Sequence, residues 1–95
     1  MELIVKIIRQ GALQEREYTN KQGVTEKFAS MPFVLQHGSD TYYCEMVQEQ
    51  ARKQGKLDPN YYYVATLSSQ ARSWQDQSGQ ERYENRLSLN KICTL

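Results

Sequence analysis

The chain has 95 residues, of which 39% are hydrophobic and 24% are charged, and its formal net charge is +1. This length fits one domain, residues 1–95, and the composition is that of a globular protein, which excludes a disordered chain. The charge excludes the strongly basic class of nucleic-acid binders, so electrostatic binding would depend on local clusters among the twelve Lys and Arg residues.

The first third of the chain has the pattern of β-structure. Residues 2–10 are rich in β-branched side chains and place Leu3, Val5 and Ile7 on one face of a strand. The polar, Gly-containing segment 19–27 predicts a hairpin tip. Residues 28–37 predict a second strand, in which Pro32 indicates an edge position or a bulge.

The middle of the chain predicts a turn, a strand and a helix. After the turn at 37–40, residues 41–47 alternate as a third strand with Tyr42, Cys44 and Met46 on one face. The next segment breaks the β pattern and predicts a short helix within 46–54, which Gly55 would end.

The last third predicts two more strands. Residues 61–67 form the fourth strand, and residues 82–95 form the fifth, with Tyr83, Leu87 and Leu89 on one face. Five short strands with a helix between the third and the fourth predict an all-β, five-stranded OB-fold barrel. Periodicity leaves an SH3-like barrel open as the alternative.

Several function classes lack the residues they need. His37 is the single histidine and stands in a predicted turn, so no Ser/His/Asp arrangement can be built around it. There is no Gly-rich phosphate loop, and Cys44 and Cys93 lie in apolar runs without metal-binding spacing. We therefore predict a non-enzyme with no cofactor and no bound metal, in which both cysteines are reduced and buried.

No segment predicts contact with a membrane. A membrane-spanning helix needs about 20 apolar residues, and no stretch of the chain approaches that length. The apolar start of the chain has no cleavage site, so we predict no signal peptide and a location in the cytoplasm.

Rings and cations alternate near the predicted hairpin tips. Single-stranded nucleic acid is bound by cations that follow the phosphates together with rings on which bases stack. The residues that combine these properties are the candidate DNA-binding set: Arg16, Tyr18, Lys21, Lys27, Phe28, Arg72, Trp74, Arg82 and Arg86.

The remaining aromatic residues are assigned by strand parity. Tyr61 and Tyr63 share the parity of Ala65 and Leu67, so both are predicted in the core, while Tyr62 would face outward. Phe33 and Tyr83 are also predicted to be buried, and one of Tyr42 and Tyr43 is predicted to be exposed.

The segment "RSWQDQSGQERYENRLSL" (72–89) resembles the last hairpin of bacterial single-stranded DNA-binding proteins, in which an aromatic residue and a Gly turn lead into the final strand. Residues 42–67 resemble the third strand, helix and fourth strand of that family in outline. The resemblance implies an OB fold. The chain ends at "KICTL" without that family's Gly/Pro/Gln-rich linker and acidic tip, which favours a coating or accessory role over recruitment of partner enzymes.

The whole length resembles, less sharply, the helix-destabilising single-stranded DNA-binding proteins of filamentous phages. "EYTNKQGVTEKF" (17–28) looks like their basic wing, with Phe28 at the place of a wing tyrosine. Arg86 would occupy the position of a DNA-binding arginine, and Trp74 would lie on a hairpin whose tip carries an aromatic residue. The helical segment "QEQARKQG" departs from that pattern.

These resemblances imply a sequence-nonspecific single-stranded DNA-binding protein of bacterial or phage replication. Both families self-associate, which implies a homodimer or larger homo-oligomer with the first strand as a candidate edge for pairing. Two alternatives remain open at this point: an OB-fold protein-interaction or primosome accessory module that does not coat DNA, and a protein that binds RNA.

Overall fold

The structure is a computed structural model that describes all residues from 1 to 95. It is mostly β, with 67% of residues in strands and one short helix. The elements are β1 (Glu2–Gln10), β2 (Gln14–Thr19), β3 (Thr25–His37), β4 (Asp40–Val47), α1 (Gln48–Lys53), β5 (Tyr62–Gln75) and β6 (Glu81–Thr94).

Five of the six strands close into a ring of hydrogen bonds. β1 pairs with both β3 and β5, β5 pairs with β6, and β3 pairs with β4, all antiparallel. A parallel contact between Glu45 of β4 and Ser88 of β6 closes the ring. This confirms the predicted all-β class and the OB-like barrel, with α1 between the third and fourth strands of the ring.

β1 is paired along its whole length. Residues 2–6 pair with β5 and residues 6–10 pair with β3. The strand therefore has no full-length free edge, because closure of the barrel uses both of its sides, one in each half. The expectation that this strand serves as an edge for self-association stays a prediction.

Two hairpins extend from the barrel. The wing (residues 14–30) pairs β2 with the first half of β3, and the distal hairpin (residues 68–88) pairs the ends of β5 and β6. The prediction of five strands misses β2. The turn of this hairpin is confined to the residues next to Asn20, and the polar residues before it form a strand. The Asn20 side-chain oxygen accepts the backbone N–H groups of Gln22 and Val24, which closes a tight turn.

The core fills the ring with alternate side chains from every barrel strand. Val5, Phe33 and Leu35 are among its most buried members, and burying a side chain of this size contributes about 1.5–3 kcal/mol. The predicted alternation in β1 and β4 is confirmed, since Ile7, Cys44 and Met46 are also buried, and burial raises the pKa of the Cys44 thiol to about 12. α1 adds Ala51 to the core, so the predicted helix is confirmed and covers part of the barrel.

Pro32 lies where β3 changes partner. β2 pairs with β3 as far as Ser30, and β1 pairs with it from Phe33 onward. The Pro32 carbonyl accepts the Gly11 N–H at 2.8 Å. The edge of Pro32 on which another residue would carry an N–H therefore faces the gap between β2 and β1. No ladder hydrogen bond is lost there, which explains why proline is tolerated in an interior strand.

Three predictions of burial are wrong. Tyr83 is 71% exposed because β6 has left the barrel at that point and pairs only with β5, so neither face of the ribbon meets a core. Tyr61 is exposed because it precedes β5 and does not share the alternation of that strand. Cys93 is exposed because it faces outward on the barrel, opposite Val64.

Candidate nucleic-acid interface

One face of the wing carries three of the candidate residues. Arg16 lies directly opposite Phe28, and Tyr18 lies opposite Glu26. Residues that face each other in an antiparallel pair project from the same side of the sheet, and positions two apart share that side. Arg16, Tyr18 and Phe28 therefore project from one face.

The distal hairpin carries four more candidates on one face. Its register places Gln70 opposite Arg86, Arg72 opposite Glu84, and Trp74 opposite Arg82. Because these positions alternate along both strands, all six side chains project from the same side of the ribbon. Tyr83 lies on the other side, opposite Ser73.

An open groove of about 380 Å³ joins the two faces. Arg16 and Phe28 line it from the wing, Tyr43 lines it from β4, and Gln70 and Arg86 line it from the distal hairpin. The structure thus brings together Arg16, Phe28 and Arg86, which are far apart in the sequence. Arg72, Trp74 and Arg82 extend the same face of the hairpin away from the groove.

Tyr43 is the ring that sequence reasoning left out of the candidate set. It is 60% exposed, lines this groove, and also lines a second groove of about 390 Å³ that contains Arg9 and Gln14. Its hydroxyl donates to Glu45, and desolvation and the Glu45 charge raise the pKa of the phenol. Its alternation with buried Cys44 is the signal that could have identified it.

The tip of the distal hairpin is held by Asp76. The Asp76 carboxylate accepts the backbone N–H groups of Ser78 and Gln80 and the Ser78 hydroxyl, and it pairs with the Arg82 Nε at 2.9 Å. The Ser78 hydroxyl and the Arg82 guanidinium lower the pKa of this carboxyl to about 2. Gly79 adopts a φ of 81°, which glycine accommodates without strain.

Trp74 is 39% exposed next to this tip. The guanidinium of Arg72 lies over its ring, 5.6 Å from the centroid, and also pairs with Glu84 at 3.4 Å. The indole thus has a cation beside it and open solvent around part of its surface.

Two candidate lysines lie apart from this face. Lys27 is opposite Glu17, so its side chain projects from the other side of the wing, while its carbonyl accepts a hydrogen bond from Arg52. Lys21 lies in the turn at the wing tip. The structure does not bring either residue into the groove.

Carboxylates are interspersed with the cations. Glu45 and Glu84 line the groove, and Glu26 accepts the Tyr18 hydroxyl at 2.6 Å, which raises the pKa of that phenol. An anionic ligand would therefore meet a mixed surface, in which rings supply much of the contact and cations supply local attraction.

No protein-family model and no curated protein sequence matches the chain.

The structure groups no three His, Cys, Asp or Glu side chains in a way that could hold a metal ion. None of its helical structure reaches the length and apolar character that a membrane crossing requires.

Proposed function

We propose that this protein binds single-stranded DNA without sequence specificity and coats it during phage or plasmid DNA replication, in the cytoplasm of a bacterium or a phage-infected host. The observation that carries the proposal is the convergence of Arg16, Phe28, Tyr43 and Arg86 on one groove, from three separate parts of the chain.

The position of the groove agrees with the proposal. In OB folds, oligonucleotides bind across the second and third barrel strands, between the loop that joins the first two strands and the loop that joins the last two. β3 and β4 are the second and third strands of this ring, the wing is the first connection, and the distal hairpin is the last. The groove is lined from these elements.

The mechanism is passive. The exposed rings of Trp74 and Tyr43 and the half-buried ring of Phe28 stack bases, which contributes about 1–3 kcal/mol for each base and tolerates any base sequence. Arg16, Arg72, Arg82 and Arg86 neutralise phosphates. Because these contacts need unstacked bases, the protein binds the single strand and not the duplex, and binding shifts the melting equilibrium by mass action.

The test uses Trp74, the only tryptophan in the chain, as a fluorescent reporter. Titration with oligo-dT should quench its emission, and added salt should reverse the quenching, since phosphate contacts release counterions. If oligo-dT produced no quenching and no gel shift at low salt, the proposal would be overturned. Competition between oligo-dT and oligo-U separates a preference for DNA from a preference for RNA.

A second candidate function is a protein-interaction or primosome accessory module that does not coat DNA. The observations that favour it are the net charge of +1 and the two carboxylates, Glu45 and Glu84, in the groove. Carboxylates in the lining disfavour phosphate and suit a partner with basic residues. This candidate predicts that oligo-dT leaves the fluorescence of Trp74 unchanged at every salt concentration.

The proposal includes self-association, as in the two families that the sequence resembles. A homodimer would place two grooves on one particle, so that one strand could occupy both with a higher effective affinity than either groove alone.

A further inference from the structure

A second exposed surface lies on the outside of the barrel, where β1, β5 and β6 run side by side. Ile4 is opposite Val64, and Val64 is opposite Cys93, so these three residues form an apolar row across three strands. Ile4 is 50% exposed, and Cys93 is exposed as well. None of the three lines either of the grooves described above.

The rows on either side of this apolar row carry charged side chains. One row consists of Glu2, Thr66 and Lys91 in register. The other row begins with Lys6 and Tyr62, whose cation and ring are 5.0 Å apart. Leu95, directly after β6, continues this row, since its N–H donates to the Tyr62 carbonyl at 3.2 Å.

The charges of β1 are placed symmetrically about Ile4. Glu2 and Lys6 are each two residues from Ile4 on the same face, so each lies about 7 Å from it along the strand. When two copies of such a strand lie antiparallel, the negative charge of each copy faces the positive charge of the other, and the apolar side chains meet in the middle.

We propose that this outer face, the three rows centred on Ile4, Val64 and Cys93, binds the same face of a second copy of the chain. The twofold axis runs along the apolar row, between the two sheets. Rotation about this axis places β1 over β1 in the opposite direction, so Glu2 of each copy lies over Lys6 of the other. The interface is isologous, as a closed dimer requires.

The other rows are compatible with this arrangement. The same rotation places Thr66 over Tyr62 and Lys91 over Leu95, so no like charges meet. An axis parallel to the strands along β5 would instead place Glu2 over Lys91 and Lys6 over Leu95. The double charge reversal described below separates the two arrangements, because it restores the dimer only where Glu2 lies over Lys6. Facing sheets pack about 10 Å apart with their strands within about 30° of each other, and side chains from both sheets then interdigitate.

This outer face would be the site of the self-association that is part of the proposed function. Dimerisation through it does not depend on DNA binding. Because the apolar row lines neither groove, the dimer leaves both grooves of each copy open. Loss of the dimer and loss of DNA binding are therefore separate outcomes.

Charge reversal tests the geometry. Sedimentation equilibrium should show a dimer for the unchanged chain, and the dissociation constant should rise at least about tenfold for Glu2→Lys and for Lys6→Glu. The double variant, Glu2→Lys with Lys6→Glu, should dimerise again, because each reversed charge meets its reversed partner. Glu49→Lys is the matched control for Glu2→Lys, since it makes the same change in net charge on α1, away from this face.

Cross-linking gives a second measurement. Cys93 is the one exposed thiol, while Cys44 is buried, so a short bis-maleimide should join Cys93 of one copy to Cys93 of the other. Cys93→Ser should abolish the product, and each single charge reversal should reduce it.

Three results would overturn the inference: a monomer at high micromolar concentration, a dimer that both single reversals leave unchanged, or a double variant that does not recover. If the charge dependence holds while Trp74 shows no quenching by oligo-dT, the dimer stands and the proposed DNA binding fails.

Discussion

Arg72 lies over the indole of Trp74, with its guanidinium carbon 5.6 Å from the ring centroid. Both side chains project from the face of the distal hairpin that also carries Arg82 and Arg86. A cation over an indole is attracted by the ring quadrupole, and the pair places a stacking surface next to a phosphate-binding group. One nucleotide bound at this position would meet both.

Removal of the indole should weaken binding without a large loss of stability. Trp74 stands on a two-stranded ribbon outside the core, so Trp74→Ala should lower the affinity for oligo-dT by about 5- to 160-fold, which is the stacking contribution of one base. Trp74→Phe keeps a ring and should retain most of the affinity. Anisotropy of a labelled oligonucleotide measures both variants, and equal affinities for Trp74→Ala and the unchanged chain would contradict the stacking role.

Arg86 and Lys27 should behave differently, although both were predicted from the sequence as phosphate ligands. Arg86 lines the groove, while Lys27 projects from the opposite side of the wing. Arg86→Ala should weaken binding and reduce the slope of log affinity against log salt by about one, which is the value expected for one lost phosphate contact. Lys27→Ala has the same change in charge and should leave the slope nearly unchanged. Equal slopes for the two variants would show that the groove is not the binding surface.

Removal of a carboxylate should strengthen binding. Glu84 lines the groove and pairs with Arg72 at 3.4 Å, so it competes with a phosphate for that guanidinium. Glu84→Gln should raise the affinity for oligo-dT several-fold at low salt, with a smaller gain at high salt because salt screens the exposed charges. Glu49→Gln, on α1 and outside the groove, is the control. The interaction-module alternative predicts no change in either variant.

The alternation of side chains could be predicted from the sequence wherever a strand lies on the barrel. Val5 and Cys44 follow it because one face of each strand meets the core. The same rule fails for Tyr83, since the distal hairpin extends beyond the barrel and has no buried face. Where a strand leaves the core depends on the lengths of both partners, and the chain pattern does not encode the departure.

The groove itself was beyond prediction from the sequence. Its cations and rings could be named because they alternate near turns, but which of them meet depends on the register of two separate hairpins. Lys27 and Phe28 are adjacent in the sequence and project to opposite sides of the wing, because successive side chains of a strand alternate. The register of β2 with β3 then places Arg16 beside Phe28, on the side that lines the groove. Tyr43 was missed because nothing near it in the sequence is cationic.

The turn of the distal hairpin should depend on pH only in strong acid. The pKa of Asp76 is lowered from 3.8 to about 2, so its carboxylate stabilises the turn above the ordinary pKa, and this contribution is lost as the pH falls through the folded value. Nuclear magnetic resonance should show the Ser78 and Gln80 amide signals shifting together with a midpoint at about pH 2. Asp76→Asn keeps an acceptor for the two amides and should remove this titration. A midpoint at the ordinary value would show that the hydrogen bonds to Ser78 and Arg82 do not hold the carboxylate.

The glycine between β1 and β2 should be sensitive to the smallest substitution. A Cβ at Gly11 would lie 2.5 Å from the Pro32 Cγ and 3.3 Å from the Pro32 carbonyl oxygen, so either the ring or the Gly11–Pro32 backbone hydrogen bond must shift. Gly11→Ala should lower the free energy of unfolding by about 1–3 kcal/mol, the usual range for overpacking. Urea denaturation measures this change.

Gly55→Ala is the matched control, because a Cβ there would meet nothing within 4 Å. Removing a glycine from the unfolded chain reduces its conformational entropy, so this variant should be neutral or more stable by about 0.4–1 kcal/mol. Because both variants make the same chemical change, the difference between them isolates the contact with Pro32. If the two free energies were equal, the crossing of Gly11 over Pro32 would not constrain the barrel at the point where β3 changes partner.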